Sequence, residues 1–221
     1  MLAASCGIEG PYEAAATSTP VVATVAPLTS TPTATPPPSG TAAPIASITP
    51  RTPSPVVVVR YRVEIRIDDD DGFASFLARV MADPRGWKRA RFDVRESPDA
   101  PYRVVLAEGD EVDELCRPYD TGGRFSCQNG PVVAINADRW RAGVPDWPED
   151  LEHYRTMLMN HEMGHLLGQH HRDCPGAGQL APVMQQQSGG LDGCRANAWP
   201  LDAEIARAAR HDLKLAPEFG E

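Results

Sequence analysis

An eleven-residue run in the C-terminal half, HEMGHLLGQHH at residues 161–171, constrains the fold of this chain more than any other feature. His161 and His165 are four residues apart, so in an α-helix they lie on one face, about 6 Å apart along the axis. In a continuous helix His171 would lie about 240° around from His165 and point away from it. Gly168 allows the helix to stop, because glycine adopts the left-handed conformation without steric cost. The run therefore predicts a helix that ends abruptly, followed by a turn that brings His171 back.

Three converging imidazoles are a ligand set for zinc, and they leave one position of a tetrahedral ion open for chemistry. Glu162 follows the first ligand and lies at the edge of the same helix face. A carboxylate there can take a proton from an attacking water and pass it to a leaving amine. We therefore predict one catalytic zinc ion held by His161, His165 and His171, with Glu162 as general base. The neighbouring His170 competes for the third place, but its spacing from the glycine is less favourable, and we expect it beside the ligands or in solvent.

Residues 56–67 alternate between apolar and charged side chains, which predicts a half-buried strand. Apolar residues then recur at helical spacing from Phe73, which predicts a helix that ends near Asp83-Pro84. The aspartates at residues 68–71 are expected to cap this helix, with a calcium site as the alternative.

The later elements follow from shorter patterns, and they place the histidine run on a long helix. Apolar residues of that helix fall on the same stripe as the histidines, so its ligand face continues into the core. Strands come first and helices follow, which indicates an α+β domain. Further strands are predicted at residues 103–107 and 131–136, a stapled loop or hairpin at 116–127, and helices from about residue 150 and over residues 201–213.

Residues 1–55 differ in composition from the rest of the chain. Residues 11–55 are rich in Thr, Pro, Ala and Ser, and half of the 22 prolines lie in the first 55 residues. Such a stretch cannot bury enough apolar surface to fold, so we predict a disordered leader and linker over 1–55 and one domain over 56–221. Almost all of the net charge of −9 belongs to that domain, and its basic residues are scattered. This pattern argues against a nucleic acid partner.

The five cysteines favour an extracytoplasmic protein. Cys6 follows small residues that resemble the end of a signal peptide, so it is a candidate for lipidation and a membrane tether, or else an ordinary free thiol. Cys116, Cys127, Cys174 and Cys194 form an even set without CxxC spacing. Three connectivities are possible, and we predict the sequential pairs Cys116–Cys127 and Cys174–Cys194. Disulfides indicate an oxidising compartment, whereas four free thiols would fit a cytosolic protein.

The histidine run resembles the metzincin zinc motif HExxHxxGxxH, and Met184 in Pro182-Val183-Met184 fits the methionine turn of that clan. The match to the zinc motif and methionine turn covers about residues 161–184. A wider likeness, in residues 83–87, 136–140 and 181–187, is to an uncharacterised family of exported actinobacterial metzincin-like domains of unknown function. The resemblance implies a metzincin-like zincin fold: a mixed sheet, an active-site helix, a C-terminal helix and a cleft. It also implies that an extended substrate pairs with an edge strand, for which residues 132–136 are the candidate.

The motif and the resemblance together predict a zinc-dependent endopeptidase that acts on a peptide or protein, as a monomer. The alternatives are a zinc hydrolase that acts on a cell-wall amide and an envelope-tethered binding module that contains zinc without turnover. Glu162 argues against the binding module, which does not need a general base. Gln185 and Gln186 stand after Met184 where some metzincins have a tyrosine, so the resemblance identifies no residue that stabilises the oxyanion.

Overall fold

The computed structural model describes residues 56–210, and a mixed five-stranded sheet lies at the centre of this part of the chain. In strand β1 (Val57–Ile65), Val59 and Tyr61 are buried while Arg60 between them is exposed. This alternation is the period of two that the sequence predicts for a strand with one apolar face. The other strands are β2 (Phe92–Glu96), β3 (Tyr102–Ala107), β4 (Cys127–Asn129) and β5 (Val132–Asn136).

The strands lie in the order β2-β1-β3-β5-β4, and only β4 runs antiparallel to its neighbour. The prediction that residues 132–136 form the edge strand is therefore wrong, because β5 lies between β3 and β4. All five residues of β5 are buried, as expected of an interior strand covered on both faces. The edge beside β5 is the short strand β4.

Residues 56–210 contain six helical segments, and two of them agree closely with the apolar spacing of the sequence. One begins at Phe73, and another ends just after the second histidine of the motif. The segments are α1 (Phe73–Ala82), a 3-10 helix at Trp87–Ala90, α2 (Gly109–Cys116), α3 (Ala137–Ala142), α4 (Leu151–Leu166) and α5 (Asp202–Ala208).

The aspartates before α1 do not cap it, which corrects the prediction. Gly72 occupies the N-cap position in the left-handed conformation, and no side chain accepts a hydrogen bond from the first turn. The carboxylates of Asp69 and Asp70 instead accept the backbone N–H groups of Asp71 and Gly72, within the turn itself. Aspartate readily bonds to backbone two residues ahead, and here that local turn takes the place of a cap.

The sheet carries a hydrophobic cluster on each face, because alternate residues of β3 and β5 point to opposite sides. The larger cluster contains Val104 and Ile135 and packs against α1 and α4. The smaller one contains Val105 and Ala134 and is covered by α2. The candidate functional site lies on α4 and therefore beside the larger core.

Several short elements were not predicted from the sequence. Strand β2, helix α3, the 3-10 helix and α2 lack a long hydrophobic period, and α2 buries only Val112 and Cys116. Helix α5 ends at Ala208, before the predicted end at residue 213. Short segments such as these form because the surrounding core covers them, since isolated helices of this length are unstable in water.

Both predicted disulfides are present, Cys116–Cys127 and Cys174–Cys194. They are compatible with an oxidising compartment. None of the helices in residues 56–210 is both long and apolar enough to cross a bilayer. The predicted leader and linker, including Cys6, lie outside the described residues, as do residues 211–221.

Candidate metal centre

Helix α4 carries the motif and is fixed at its start by a cap. The carboxylate of Asp150 accepts a hydrogen bond of 2.7 Å from the backbone N–H of His153. Tyr154 and Leu158 are buried on the same stripe as His161, two turns and one turn before it, respectively. The apolar face of the helix thus continues directly into the face that carries the ligands.

The helix ends at Gly168 in a Schellman arrangement. Gly168 has a φ of 77°, and its N–H donates to the carbonyl of His165 at 2.9 Å. The N–H of Gln169 donates to the carbonyl of Gly164, also at 2.9 Å. These two bonds satisfy carbonyls that the end of the helix would otherwise leave unpaired. The chain then reverses and carries His171 back over the helix face.

Three imidazole nitrogens meet at one point beside this turn. The Nε2 atom of His165 lies 3.2 Å from Nε2 of His161 and 3.0 Å from Nε2 of His171. Ligands about 2.0–2.1 Å from a tetrahedral ion would be about 3.3–3.4 Å apart, close to these separations. Among residues 56–210, these three are the cluster of His, Cys, Asp or Glu whose donor atoms could hold one metal ion.

Two of the imidazoles are oriented by backbone carbonyls. Nδ1 of His161 lies 2.8 Å from the carbonyl oxygen of Val183, and Nδ1 of His165 lies 2.9 Å from that of Gln169. A carbonyl only accepts, so Nδ1 carries the proton and Nε2 is left as the donor to a metal. The neighbouring His170 is exposed on the rim and outside the triad.

Burial changes the protonation of this cluster. Desolvation lowers the pKa of His161 to about 3 and that of His165 to about 4, and it also lowers the pKa of His171. Without metal, the imidazoles are thus neutral at physiological pH, which is the form that binds a cation. Desolvation raises the pKa of Glu162 to about 8.

The Glu162 side chain is buried beside the triad, with 5 % of the residue exposed. Its Oε2 atom is buried and has no hydrogen-bond partner among the described residues. A buried carboxylate without partners is costly unless it serves a ligand. Glu162 and the three histidines line one open cavity of about 800 Å³.

A methionine turn lies beneath the ligand helix. The turn closes through a bond of 2.9 Å from the N–H of Gln185 to the carbonyl of Pro182, and Met184 is buried. A Cβ atom on Gly164 would lie only 2.5 Å from the sulfur of Met184 and 2.8 Å from the ring of Trp87. The glycine between the two helical ligands is therefore what lets the turn approach α4.

Glu204 of α5 holds this turn, and the sequence analysis did not identify it. Its carboxylate accepts the backbone N–H groups of Val183 at 3.0 Å, Met184 at 2.9 Å and Leu201 at 2.8 Å. Because the carbonyl of Val183 bonds to His161, Glu204 supports a candidate metal ligand through one peptide unit. The sequence does contain one signal for this role. Glu204 is the third residue of α5, a position where glutamate often accepts a backbone N–H group at the start of a helix.

Two further segments each contribute four residues to the cavity wall. One leads into and includes part of the edge strand β4, and the other follows Met184. They contribute Phe125, Ser126, Cys127 and Gln128, and Gln186, Gln187, Ser188 and Gly189, respectively. The arrangement could hold a metal ion, with the three imidazole nitrogens on one side and the open cavity on the other.

Comparison with known protein families gives one match. A family model described as a protein of unknown function, DUF3152, matches residues 32–212. The match includes the whole of the described region and begins within the predicted linker. No curated protein matches the chain. Since the family model covers most of the sequence, the chain belongs to the DUF3152 family.

Proposed function

We propose that this protein is a zinc-dependent endopeptidase of metzincin type, with Glu162 as the general base. The observation that carries the proposal is the meeting of three imidazole Nε2 atoms beside the buried Glu162, in one open cavity. One oxygen of Glu162 has no hydrogen-bond partner in residues 56–210. The resemblance of residues 161–171 to the metzincin motif, and the turn at Met184, support this choice among zinc hydrolases.

The ligand set favours zinc and a catalytic site over a structural one. Imidazole nitrogens suit zinc, and structural zinc sites are usually closed by four protein ligands, whereas three leave a position free. When bound, zinc would supply the positive charge that activates water, polarises the scissile carbonyl and lowers the pKa of Glu162 toward ionisation.

Two roles remain besides that of the metal: Glu162 transfers the proton, and the edge strand aligns the substrate. The Glu162 carboxylate accepts a proton from the attacking water and delivers it to the departing nitrogen, as a general base and then a general acid. The edge strand β4, and not β5 as first expected, is the place for an extended peptide. Its residues Cys127 and Gln128 line the cavity, and β4 pairs only with β5 in the sheet. Backbone pairing at such an edge aligns a peptide with little dependence on its sequence.

We further propose that the enzyme acts outside the cytoplasm as a monomer, either secreted or tethered through a lipid on Cys6. The two disulfides support an oxidising compartment. The substrate is then a peptide or protein of that compartment. Mass spectrometry of the native N-terminus tests the tether, which an unmodified Cys6 would exclude.

The decisive experiment combines metal analysis with the Glu162→Gln variant. Purified protein should contain about one zinc per chain and should cleave members of a peptide library. Glu162→Gln should retain zinc and lose at least about a hundredfold in kcat, the usual contribution of a general base. Glu152→Gln, an exposed change on the first turn of the same helix, is the matched control and should keep full activity.

Other outcomes would reject the proposal in distinct ways. Zinc binding without cleavage of any peptide, but with release of amines from cell-wall material, would favour the cell-wall amide. Zinc binding with no turnover on either substrate would indicate a binding module. Full activity in Glu162→Gln would show that another group is the base.

A further inference from the structure

We propose that Arg139 is a receptor for a carboxylate of the substrate, so that the enzyme prefers peptides with an acidic group near the scissile bond. This inference rests on the proposed function and specifies its substrate class. It arises from a cation that lines the same cavity as the histidine triad and Glu162.

Arg139 is held in place by neutral groups. It lies at the start of α3, where the side chain of Asn136 caps the helix and accepts the N–H of Arg139. Its Nε donates to the carbonyl of Arg124 at 2.7 Å, and its Nη1 donates to the carbonyl of Gly143 at 2.8 Å. These bonds orient the guanidinium but do not neutralise its charge.

The charge of Arg139 has no carboxylate partner among the described residues, unlike that of its neighbours. Arg141, on the same helix, pairs with Glu108 at 2.8 Å, and Arg155 pairs with Asp71 at 2.7 Å. Within residues 56–210, Arg139 donates hydrogen bonds through Nε and Nη1. The two N–H groups of Nη2 therefore remain available to a ligand. A guanidinium oriented in this way and left unneutralised in a cavity is suited to bind a carboxylate.

Arg139 lines the cavity that contains the proposed reacting centre. Arg139, Glu162 and the three histidines of the triad are all part of its wall. A substrate that occupies this cavity can therefore meet both the guanidinium of Arg139 and the carboxyl group of Glu162.

The acidic groups nearby do not satisfy Arg139. Asp120 also lines the cavity, but its carboxylate accepts the N–H of Gly122 in its own turn. The net charge of −9 does not attract acidic peptides at long range, so any preference for them must come from a local contact. The carboxylate can belong to a glutamate or aspartate side chain or to the C-terminus of a peptide, because both present the same two oxygens.

The test compares matched peptides that differ by one group. One series places Glu or Gln at each of four positions around the cleaved bond, and a second series compares a free with an amidated C-terminus. Cleavage is measured with the zinc-loaded protein. Binding is measured by calorimetry with zinc-loaded Glu162→Gln, so that affinity is obtained without turnover. Both measurements are repeated with Arg139→Gln, Arg139→Lys and Arg141→Gln.

The proposal expects a preference of at least about tenfold for the acidic member of a pair, in binding and in kcat/KM, as a charged hydrogen bond usually provides. Arg139→Gln should reduce the preference to near one, and Arg139→Lys should keep part of it. Arg141→Gln, the control on the same helix, should leave it unchanged. The series in which the preference appears identifies a side-chain or a C-terminal carboxylate. Each ratio compares two peptides on one protein sample, so partial misfolding of a variant cancels.

Two results would overturn the inference. One is equal treatment of acidic and neutral peptides by the unmodified protein. The other is an acidic preference that persists in Arg139→Gln, which would assign the carboxylate to the metal instead. Cleavage without acidic preference rejects the receptor and leaves the proposed function intact. Arginine-dependent binding without cleavage of any peptide rejects the endopeptidase and supports the receptor.

Discussion

At the scale of single residues, the site is built from polar groups whose ordinary protonation is changed by burial. His161 and His165 are neutral because charging them would place a cation in a poorly hydrated pocket, and each ring is oriented by a carbonyl. Glu162 is raised in pKa for the same reason. Such opposed shifts in one cluster are typical of functional sites.

These shifts predict the pH dependence of stability in chelator-treated protein. The Glu162 contribution is present at low pH and is lost as pH rises from its ordinary pKa of 4.5 to about 8. The His161 and His165 contributions are present above 6.5 and are lost as pH falls toward about 4 and then 3. Glu162→Gln removes only the first effect. Its free energy of unfolding relative to wild type should therefore rise with pH, by about 1.4 kcal/mol per pH unit between 5 and 8.

Urea denaturation of both metal-free proteins at pH 5 and pH 8 measures this difference. A difference between variant and wild type that is the same at both pH values would contradict the prediction. The result would mean that the Glu162 carboxylate is solvated without metal.

At the scale of elements, the convergence of the three histidines depends on where α4 ends. A straight continuation would carry His171 away from the other ligands, and the left-handed Gly168 prevents it. The same helix contains Gly164, whose lack of a side chain admits Met184. One helix thus needs glycine twice, once for conformation and once for space.

We predict that Gly168→Ala destabilises the protein by about 1–2 kcal/mol, the cost of a Cβ in the left-handed region, and weakens zinc binding because His171 shifts. Gly178→Ala is the matched control. Gly178 has a φ of 75°, nothing lies within 4 Å of an added Cβ, and it is not part of the turn that ends α4. It should lose similar stability and keep its zinc affinity, as measured by denaturation and by competition with a chelator. Equal zinc affinity in the two variants would contradict the prediction. It would show that the left-handed turn at Gly168 does not determine the position of His171 relative to the other two histidines.

At the scale of the whole molecule, parts distant in sequence support the site. Helix α5 contributes Glu204, which holds the turn that orients His161. The 3-10 helix contributes Trp87, whose ring packs beside Gly164 of α4. The Cys174–Cys194 bridge encloses the methionine turn, and the Cys116–Cys127 bridge joins α2 to the edge strand. The geometry of the candidate metal centre therefore depends on packing across the domain.

Removing either bridge by paired Cys→Ser changes should lower the free energy of unfolding by about 3 kcal/mol. The sequence separations are 11 and 20 residues, but the effect of a bridge grows only with the logarithm of loop length. Zinc affinity should fall only in Cys174→Ser/Cys194→Ser, since that loop contains Val183 and Met184. The Cys116→Ser/Cys127→Ser protein is the control. If Cys174→Ser/Cys194→Ser loses stability but keeps its zinc affinity, the prediction is contradicted, and the Cys174–Cys194 bridge stabilises its loop without positioning His161.

Local patterns in the sequence predicted a large part of this fold. The alternation in β1 and the apolar spacing of α1 were correct to within two residues, because each reflects burial against a continuous core. Strand β2 and helices α2 and α3 were missed, since short segments have no period long enough to detect. The edge strand was assigned wrongly because pairing between strands depends on the order of the whole sheet.

The sequence by itself determined which three histidines converge and that their helix ends at Gly168, because both follow from helix geometry and glycine backbone freedom. It limited the four cysteines to three connectivities, and the structure decided between them. Only the tertiary structure decided that Val183 orients His161, that Glu204 holds the methionine turn and that β4 is the edge beside the cavity. It also decided that Arg139 lines the cavity without a carboxylate partner from residues 56–210. These contacts join residues far apart in the chain. They exist only once the core has packed, and no local pattern specifies them.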